Sequence, residues 1–195
     1  MNIFKKIALF DFDYKVYWKN RDVKIRQRLL EREEVFFYWI KPKTKVLDVA
    51  VGNSGLLLSL KKDKMCEVHA FDISQEVVDA QNEAGVIAEK RNISLDDFNI
   101  ADTYDAIILS EILEHLPLPE DLMKKMADKA KFFLVSIPNS AFYKFRLQLL
   151  FGRFLKQWVF HPSEHLRFWS HRDFLDWADS IDFDVIKYEA SNGFD

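Results

Sequence analysis

Only one cysteine, Cys66, stands among the 195 residues, which excludes an internal disulfide and a cysteine-based zinc site. That usage fits a reducing cytosol, and a cytoplasmic location is expected. A basic surplus is also missing, since 28 Lys and Arg face 31 Asp and Glu for a formal net charge of -3. Affinity for phosphate backbones rests on such a surplus, so nucleic acid is not the expected partner. No stretch approaches the ~20 apolar residues of a membrane span, and no stable membrane insertion is expected. Residues 1–10 run straight into Asp11 and Asp13, without the long apolar core and small-residue cleavage site of a signal peptide. Internal repeats and low-complexity linkers are absent as well.

The chain is instead rich in apolar and aromatic side chains. Hydrophobic residues make up 49% of it and Phe alone contributes 18, enough for one well-buried core and an aromatic-lined pocket or partner surface. Its organising stretch is residues 45–60, Lys45-Val-Leu-Asp-Val-Ala-Val-Gly-Asn-Ser-Gly-Leu-Leu-Leu-Ser-Leu60. Buried-strand residues lead into Asp48, small residues make a turn, and an apolar-periodic segment continues as a helix. In a doubly wound sheet this first turn holds a nucleotide-like ligand, because small residues admit its backbone and the helix N-terminus offers free N–H groups. Ala50 and Ser54 stand where such turns usually carry glycine.

Residues 67–71 predict a second strand ending at Asp72, the position from which an acid accepts hydrogen bonds from a ribose diol. Ser74 predicts a helix N-cap and Gly85 its stop, and residues 86–89 a short third strand. Residues 104–109 and 132–137 predict the fourth and fifth strands, and residues 183–188 a sixth. Pro119, Glu120 and Asp121 open one helix; Ser170 and Asp173 form the capping box of another. The alternation gives an α/β fold: a Rossmann-like, doubly wound, mostly parallel sheet of about six or seven strands with helices on both faces. Its ligand should lie beyond the strand carboxyl ends, near Asp48, Asp72, Glu111 and Asn139.

Two segments flank this pattern. Residues 21–40 read as one or two amphipathic helices ending before Pro42, packing on the sheet edge or bringing Tyr17, Trp18 and Arg21 over the ligand as a lid. The first 40 residues are thus an aromatic and helical N-terminal segment, and residues 41–195 the ligand-binding domain. Within that domain, residues 141–163 interleave Lys144, Arg146, Arg153 and Lys156 with Phe and Leu. Such an insertion is a cap for an anionic acceptor, a membrane-surface helix or a protein-partner face.

From residue 46 to about 190 the motif order resembles class I S-adenosylmethionine-dependent methyltransferases: the turn after Asp48, the acid Asp72, Ser110-Glu-Ile-Leu-Glu-His-Leu-Pro-Leu-Pro-Glu120, and His165-Leu-Arg-Phe-Trp-Ser170. Val135-Ser-Ile-Pro-Asn139 and Phe145-Arg-Leu-Gln-Leu-Leu-Phe-Gly-Arg153 are similar to the MetW group, and related sequences serve glycan pathways. The resemblance implies S-adenosylmethionine or S-adenosylhomocysteine as cofactor. Ala50, Gly52 and neighbouring backbone would hold its methionine part, Asp72 the ribose, Asn92 and Ile93 would lie beside the adenine, and Ser110 and Glu111 would line the methyl-transfer end, with Asp48 and Ile73 also in the cofactor site. It implies a small acceptor, anionic or a sugar, methylated on oxygen. The alternative is a MetW-like partner of homoserine acyltransferase with little or no catalysis, contacted through residues 141–163.

Methyl transfer to a hydroxyl gains from a general base, for which His165 stands first, then His115 and Glu111. Each has a plain structural role open to it as a hydrogen-bonded residue. Glu111, Glu114, His115 and His165 also resemble the metal-binding segment of some ubiquinone-pathway and small-RNA methyltransferases. No metal is expected, because the same run occurs in methyltransferases that use none.

Overall fold

The computed structural model describes residues 23–95, 97–157 and 164–191. The lid positions Tyr17, Trp18 and Arg21, and residues 158–163 of the expected cap, lie outside these described residues. The elements follow in the order α1 (Glu31–Trp39), β1 (Lys45–Val49), α2 (Leu56–Lys64), β2 (Glu67–Asp72), α3 (Gln75–Glu83), β3 (Ile87–Lys90) and β4 (Tyr104–Ser110). A short 3-10 turn, Leu113–His115, then precedes α4 (Pro119–Met126), β5 (Ala130–Ser136), α5 (Tyr143–Leu150) and α6 (His171–Ser180).

The five strands pair in parallel in the order β3-β2-β1-β4-β5. The chain therefore builds outward from β1 to β3 and then crosses to the other side at β4, leaving a crevice where the carboxyl ends of β1 and β4 diverge. Alternating residues of the central strands feed two cores, one on each face. Val46, Ala106 and Ile108 join Leu56, Leu57, Leu60 and Val77 on the first face, while Leu47, Val49, Ile107 and Leu109 join Leu113, Met126 and Trp169 on the second. A sheet so covered has continuous apolar central strands, which is why β1 and β4 read as buried runs.

The local signals act as their chemistry requires. Ser74 Oγ accepts from the Val77 N–H at the start of α3, and Gly85 takes a left-handed φ of +92° just past its end. At α6, Ser170 Oγ accepts from the Asp173 N–H at 3.2 Å and the Asp173 carboxylate accepts from the Ser170 N–H at 2.9 Å.

Four expectations need correction, the first being the fifth strand, which runs over Ala130–Ser136 where 132–137 was expected. The helix before β1 is confined to Glu31–Trp39, because residues 23–30 bend at Lys24, Gln27 and Arg28 and meet the β1–α2 loop at Arg26. The third strand begins one residue later than the apolar run suggested. Residues 183–188 make no ladder among the described residues, so the sheet shows five strands where six or seven were expected. Their alternation is real, but Asp182 turns the chain with φ +64°, and only Phe183 reaches the core, 5.4 Å from the Phe133 ring. Lys187 lies over Trp39 and Tyr188 against His171, so the tail meets helices, and the outer β5 edge has no strand partner among the described residues.

Candidate functional site

The loop between β1 and α2 is held by its neighbours from every side. The N–H groups of Ala50 and Val51 both donate to the Phe71 carbonyl, at 2.8 and 3.2 Å. Asp72 accepts from the Gly52 N–H with one carboxylate oxygen and from the Ser74 N–H with the other, at 3.0 and 2.9 Å. Gln81, fully buried on α3, donates to the carbonyls of Gly52 and Ser54 at 3.0 and 3.1 Å. Ser54 Oγ, in the place of a glycine, accepts from the Leu56 N–H at 3.2 Å and so opens α2. Ala50, in the place of another, holds a left-handed φ of +64°, which costs an L-residue about 1–2 kcal/mol. Gly55 is required by a close approach: a Cβ there would stand 2.1 Å from the Arg26 carbonyl oxygen.

That contact belongs to the segment before α1. The Arg26 N–H donates to the Asn53 carbonyl at 3.0 Å, and Arg26 Nε donates to the Asn53 side chain at 3.2 Å. Arg26 Nη2 pairs with Glu33 Oε1 at 2.5 Å, while Glu33 Oε2 accepts from the Leu30 N–H at 2.7 Å. Loop and segment enclose a cavity of about 400 Å³ lined by both and by Ser110 from the end of β4. That volume lies in the range of small-ligand pockets.

Of the residues anticipated for the cofactor, Asp48, Ala50, Gly52 and Ser110 line this cavity. Asp72, Ile73, Asn92 and Ile93 are not part of that lining. Asp72 braces the loop as described; Asn92 accepts from the Ser94 N–H, and Ile93 packs on the second core. Residues that sequence reasoning missed are Arg26, Arg32 and Glu33, whose charges read there as the solvated side of a packing helix. The unbroken Ser54–Gly55 pair after Asn53 was the one available signal that something crosses the loop closely.

The cavity wall carries polar atoms without partners. Asp48 is 2% exposed and its Oδ1 has no hydrogen bond among the described residues, nor does the buried Nη1 of Arg26. Burial, and then the nearby carboxylates Glu33 and Asp72, push the Asp48 carboxyl well above the ordinary range. Arg32 Nε donates to Ser110 Oγ at 3.3 Å, and Ser110 Oγ lies 3.0 Å from Ser136 Oγ. Glu111, next along, is strained at φ +53°; burial raises its pKa while Arg32 and a Ser136 hydrogen bond restrain the rise.

A second cluster forms where the 3-10 turn meets the segment before α6. Ligand atoms of Glu114, His115 and His165 all lie within 4.8 Å of one another. Glu111 is not in this set, so the four-residue arrangement suggested by the sequence reduces to three. The physical reason is the backbone: the chain makes a 3-10 turn with Glu111 outside it, so Glu111 and Glu114 are not one α-helical turn apart. Glu114 is 1% exposed, neither of its carboxylate oxygens has a hydrogen bond among the described residues, His115 Nε2 stands 4.0 Å from its Oε1, and burial with the Glu111 charge pushes its pKa up to about 8. His115 Nδ1 donates to the Glu164 carbonyl at 2.5 Å, and the two imidazoles meet edge to face at 4.7 Å. Burial lowers both histidines, His165 to about 4 with help from His115, so both are neutral at pH 7. Neither histidine lines the 400 Å³ cavity.

Residues 17–188 match the protein family described as a methyltransferase domain. The chain belongs to that family. No curated protein matches this methyltransferase-domain chain significantly. Solved structures similar to it include a SAM-dependent methyltransferase from Thermotoga maritima, with 14% identity, coverage of 80% of this chain and 70% of that one, and a TM-score of 0.57. Magnesium protoporphyrin IX methyltransferase from Synechocystis PCC 6803, with bound SAH, shows 17% identity, 76% and 70% coverage, and a TM-score of 0.57. A Haloferax volcanii protein solved with a methyltransferase activator shows 15% identity, 77% and 67% coverage, and a TM-score of 0.56. At such identities the likeness is one of fold. The chain spans 33% of the length of one similar solved chain and 57–70% of several others. No described helix is long and apolar enough to cross a membrane.

Proposed function

We propose that this protein is an S-adenosylmethionine-dependent methyltransferase of a small polar acceptor, O-methylating a sugar or metabolite in cell-surface glycan biosynthesis. The observation that carries the enzyme reading is the cavity at the β1/β4 switch point, inside the matched methyltransferase domain and walled by the loop after Asp48. The residues fit such a cofactor. The cavity has the volume, the loop is braced in advance, and Asp48 and Arg26 present an acceptor and a donor that no protein group satisfies.

Bound there, S-adenosylmethionine supplies an electrophilic methyl carbon on a sulfonium. Asp48, Ala50 and Gly52 would hold its methionine part, and Asp72 would act on the ribose side through the loop it braces. Ser110 closes the β4 end of the cavity, where the acceptor must enter. The chain's remaining work is to align the acceptor and take its hydroxyl proton as the new O–C bond forms and the C–S bond breaks. His165 is the first base in this reading because its imidazole is neutral at pH 7 and its Nδ1 has no hydrogen bond among the described residues; it stands outside the cavity lining and would act on an acceptor that reaches beyond it. His115 and Glu111 follow. The basic aromatic stretch at 141–163 supports a sugar or anionic acceptor, since aromatic faces and cations suit such groups.

Calorimetric titration with S-adenosylmethionine and S-adenosylhomocysteine tests the reading. Binding, followed by methyl transfer in a metabolite screen, is the expected result, and no binding at millimolar concentration would sink it. One observation favours a second reading, a MetW-like partner of homoserine acyltransferase. No α5 residue is buried, and Leu150 and Phe151 are 76% and 79% exposed, as a docking face requires. Co-purification with that acyltransferase in the absence of cofactor binding would replace the first reading by the second.

A further inference from the structure

Helix α5 and the turn after it carry a surface that the fold leaves uncovered. No residue of α5 is buried. Tyr143, Leu147, Leu150 and Phe151 recur at i, i+4, i+7 and i+8, the spacing of one helical face, and all four are exposed. Gly152 then turns the chain with a left-handed φ of +73°, and Phe154 follows, 62% exposed. At the α-helical angle per residue, Lys144 borders this apolar stripe on one side and Arg146 on the other, with Arg153 and Lys156 beyond the turn. All four basic residues are exposed, and no ion pair engages them among the described residues. Residues 141–163 contain no acid at all.

An apolar stripe with cations on both flanks matches a bilayer surface, where acyl chains take the apolar side chains and anionic headgroups meet the cations. A protein partner would need an apolar groove with acids on both sides of it, whereas an anionic membrane offers both features everywhere. We propose that α5 and the turn after it seat the protein on an anionic lipid surface. With eight residues, α5 lies in the interface and does not span the bilayer. The chain enters α5 from the carboxyl end of β5, the end of the parallel sheet at which β1 and β4 wall the cavity. Seating on this surface thus brings the cavity end of the molecule to the headgroups, within reach of a lipid-borne acceptor. Lipid binding here goes beyond the methyl-transfer reading and needs no cofactor.

Co-sedimentation of the full chain with sucrose-loaded vesicles tests it, with phosphatidylcholine alone and phosphatidylcholine mixed equally with phosphatidylglycerol. Binding to the mixed vesicles, weakened as salt is raised, is the expected result. Leu150→Ser with Phe151→Ser should weaken that binding roughly 10- to 100-fold through lost apolar contact. Lys144→Gln with Arg146→Gln should weaken it roughly 10- to 30-fold through two lost charges. Both pairs stand outside the core, so their thermal melts should match the wild type. No binding to the mixed vesicles, equal binding to both kinds, or binding that survives the apolar pair in full would overturn the proposal. So would an acidic protein that co-purifies through α5 while the vesicles are left unbound. Vesicle binding is read without cofactor, so its failure leaves the calorimetric test of the methyl-transfer reading standing, and the reverse holds as well.

Discussion

Replacing Glu114 by Gln should make the protein more stable at alkaline pH, although Glu114 is among its most deeply buried polar residues. The native carboxyl titrates at about 8, held up chiefly by burial and then by the Glu111 charge, against 4.5 for an ordinary glutamate. Between those values the folded protein keeps a proton that the unfolded chain releases, so stability falls as pH rises. The slope is about 1.4 kcal/mol per pH unit, and across the interval the loss approaches about 5 kcal/mol. Glutamine has the same shape and never ionises, so the variant escapes this loss. His115 and His165 work in the opposite sense: burial lowers both, and the stability they cost is recovered as pH rises toward 6.5. His115 Nε2 lies 4.0 Å from Glu114 Oε1, so only the part of their contribution that is independent of Glu114 cancels in the difference.

Urea unfolding followed by tryptophan fluorescence at pH 5.5, 7 and 8.5 gives that difference directly. At pH 5.5, one unit above the ordinary glutamate value, the variant should already lead by about 1 kcal/mol, if the amide finds no better partner than the acid did. Between pH 5.5 and 7 the variant should gain on wild type by about 2 kcal/mol more. Parallel profiles would refute the reasoning, because they would mean that Glu114 ionises normally and has a partner or solvent access.

Ala50→Gly should relieve the left-handed strain at φ +64° and raise stability by up to about 1 kcal/mol in a thermal melt, the entropy of the glycine taking back part of the gain. Gly55→Ala should do the reverse, since a Cβ 2.1 Å from the Arg26 carbonyl must push the segment off the loop; a loss of about 1–3 kcal/mol and weaker S-adenosylhomocysteine binding by calorimetry are expected. Chelator treatment should leave methyl transfer unchanged, because protonated Glu114 is a poor ligand; loss of activity restored by magnesium or manganese would instead assign an ion to Glu114, His115 and His165.

What the sequence could convey was set by range. Signals that act within a few residues were readable: the Ser74 and Ser170 caps, the Gly85 stop and the apolar runs of β1 and β4 all arise from contacts between neighbours along the chain. The parallel order followed from alternation, because parallel strands need helical crossovers. The cavity is different in kind. Arg26 meets Asn53, Glu114 meets His165, and Ser110 meets Arg32 across long stretches of chain, and no periodicity encodes such meetings. A charged residue in the sequence looks the same whether water or a buried acceptor will satisfy it. Ala50 and Ser54 mark the boundary between the two cases. Read alone, they looked like defects in a glycine turn; in the structure Ser54 opens α2 with its own hydroxyl, and Ala50 holds its strained backbone while Phe71 and Gly52 are tied around it. The loop is therefore shaped by its partners Asp72, Gln81 and Arg26 more than by its own composition, so its tolerance for non-glycine residues depends on those three side chains staying in place.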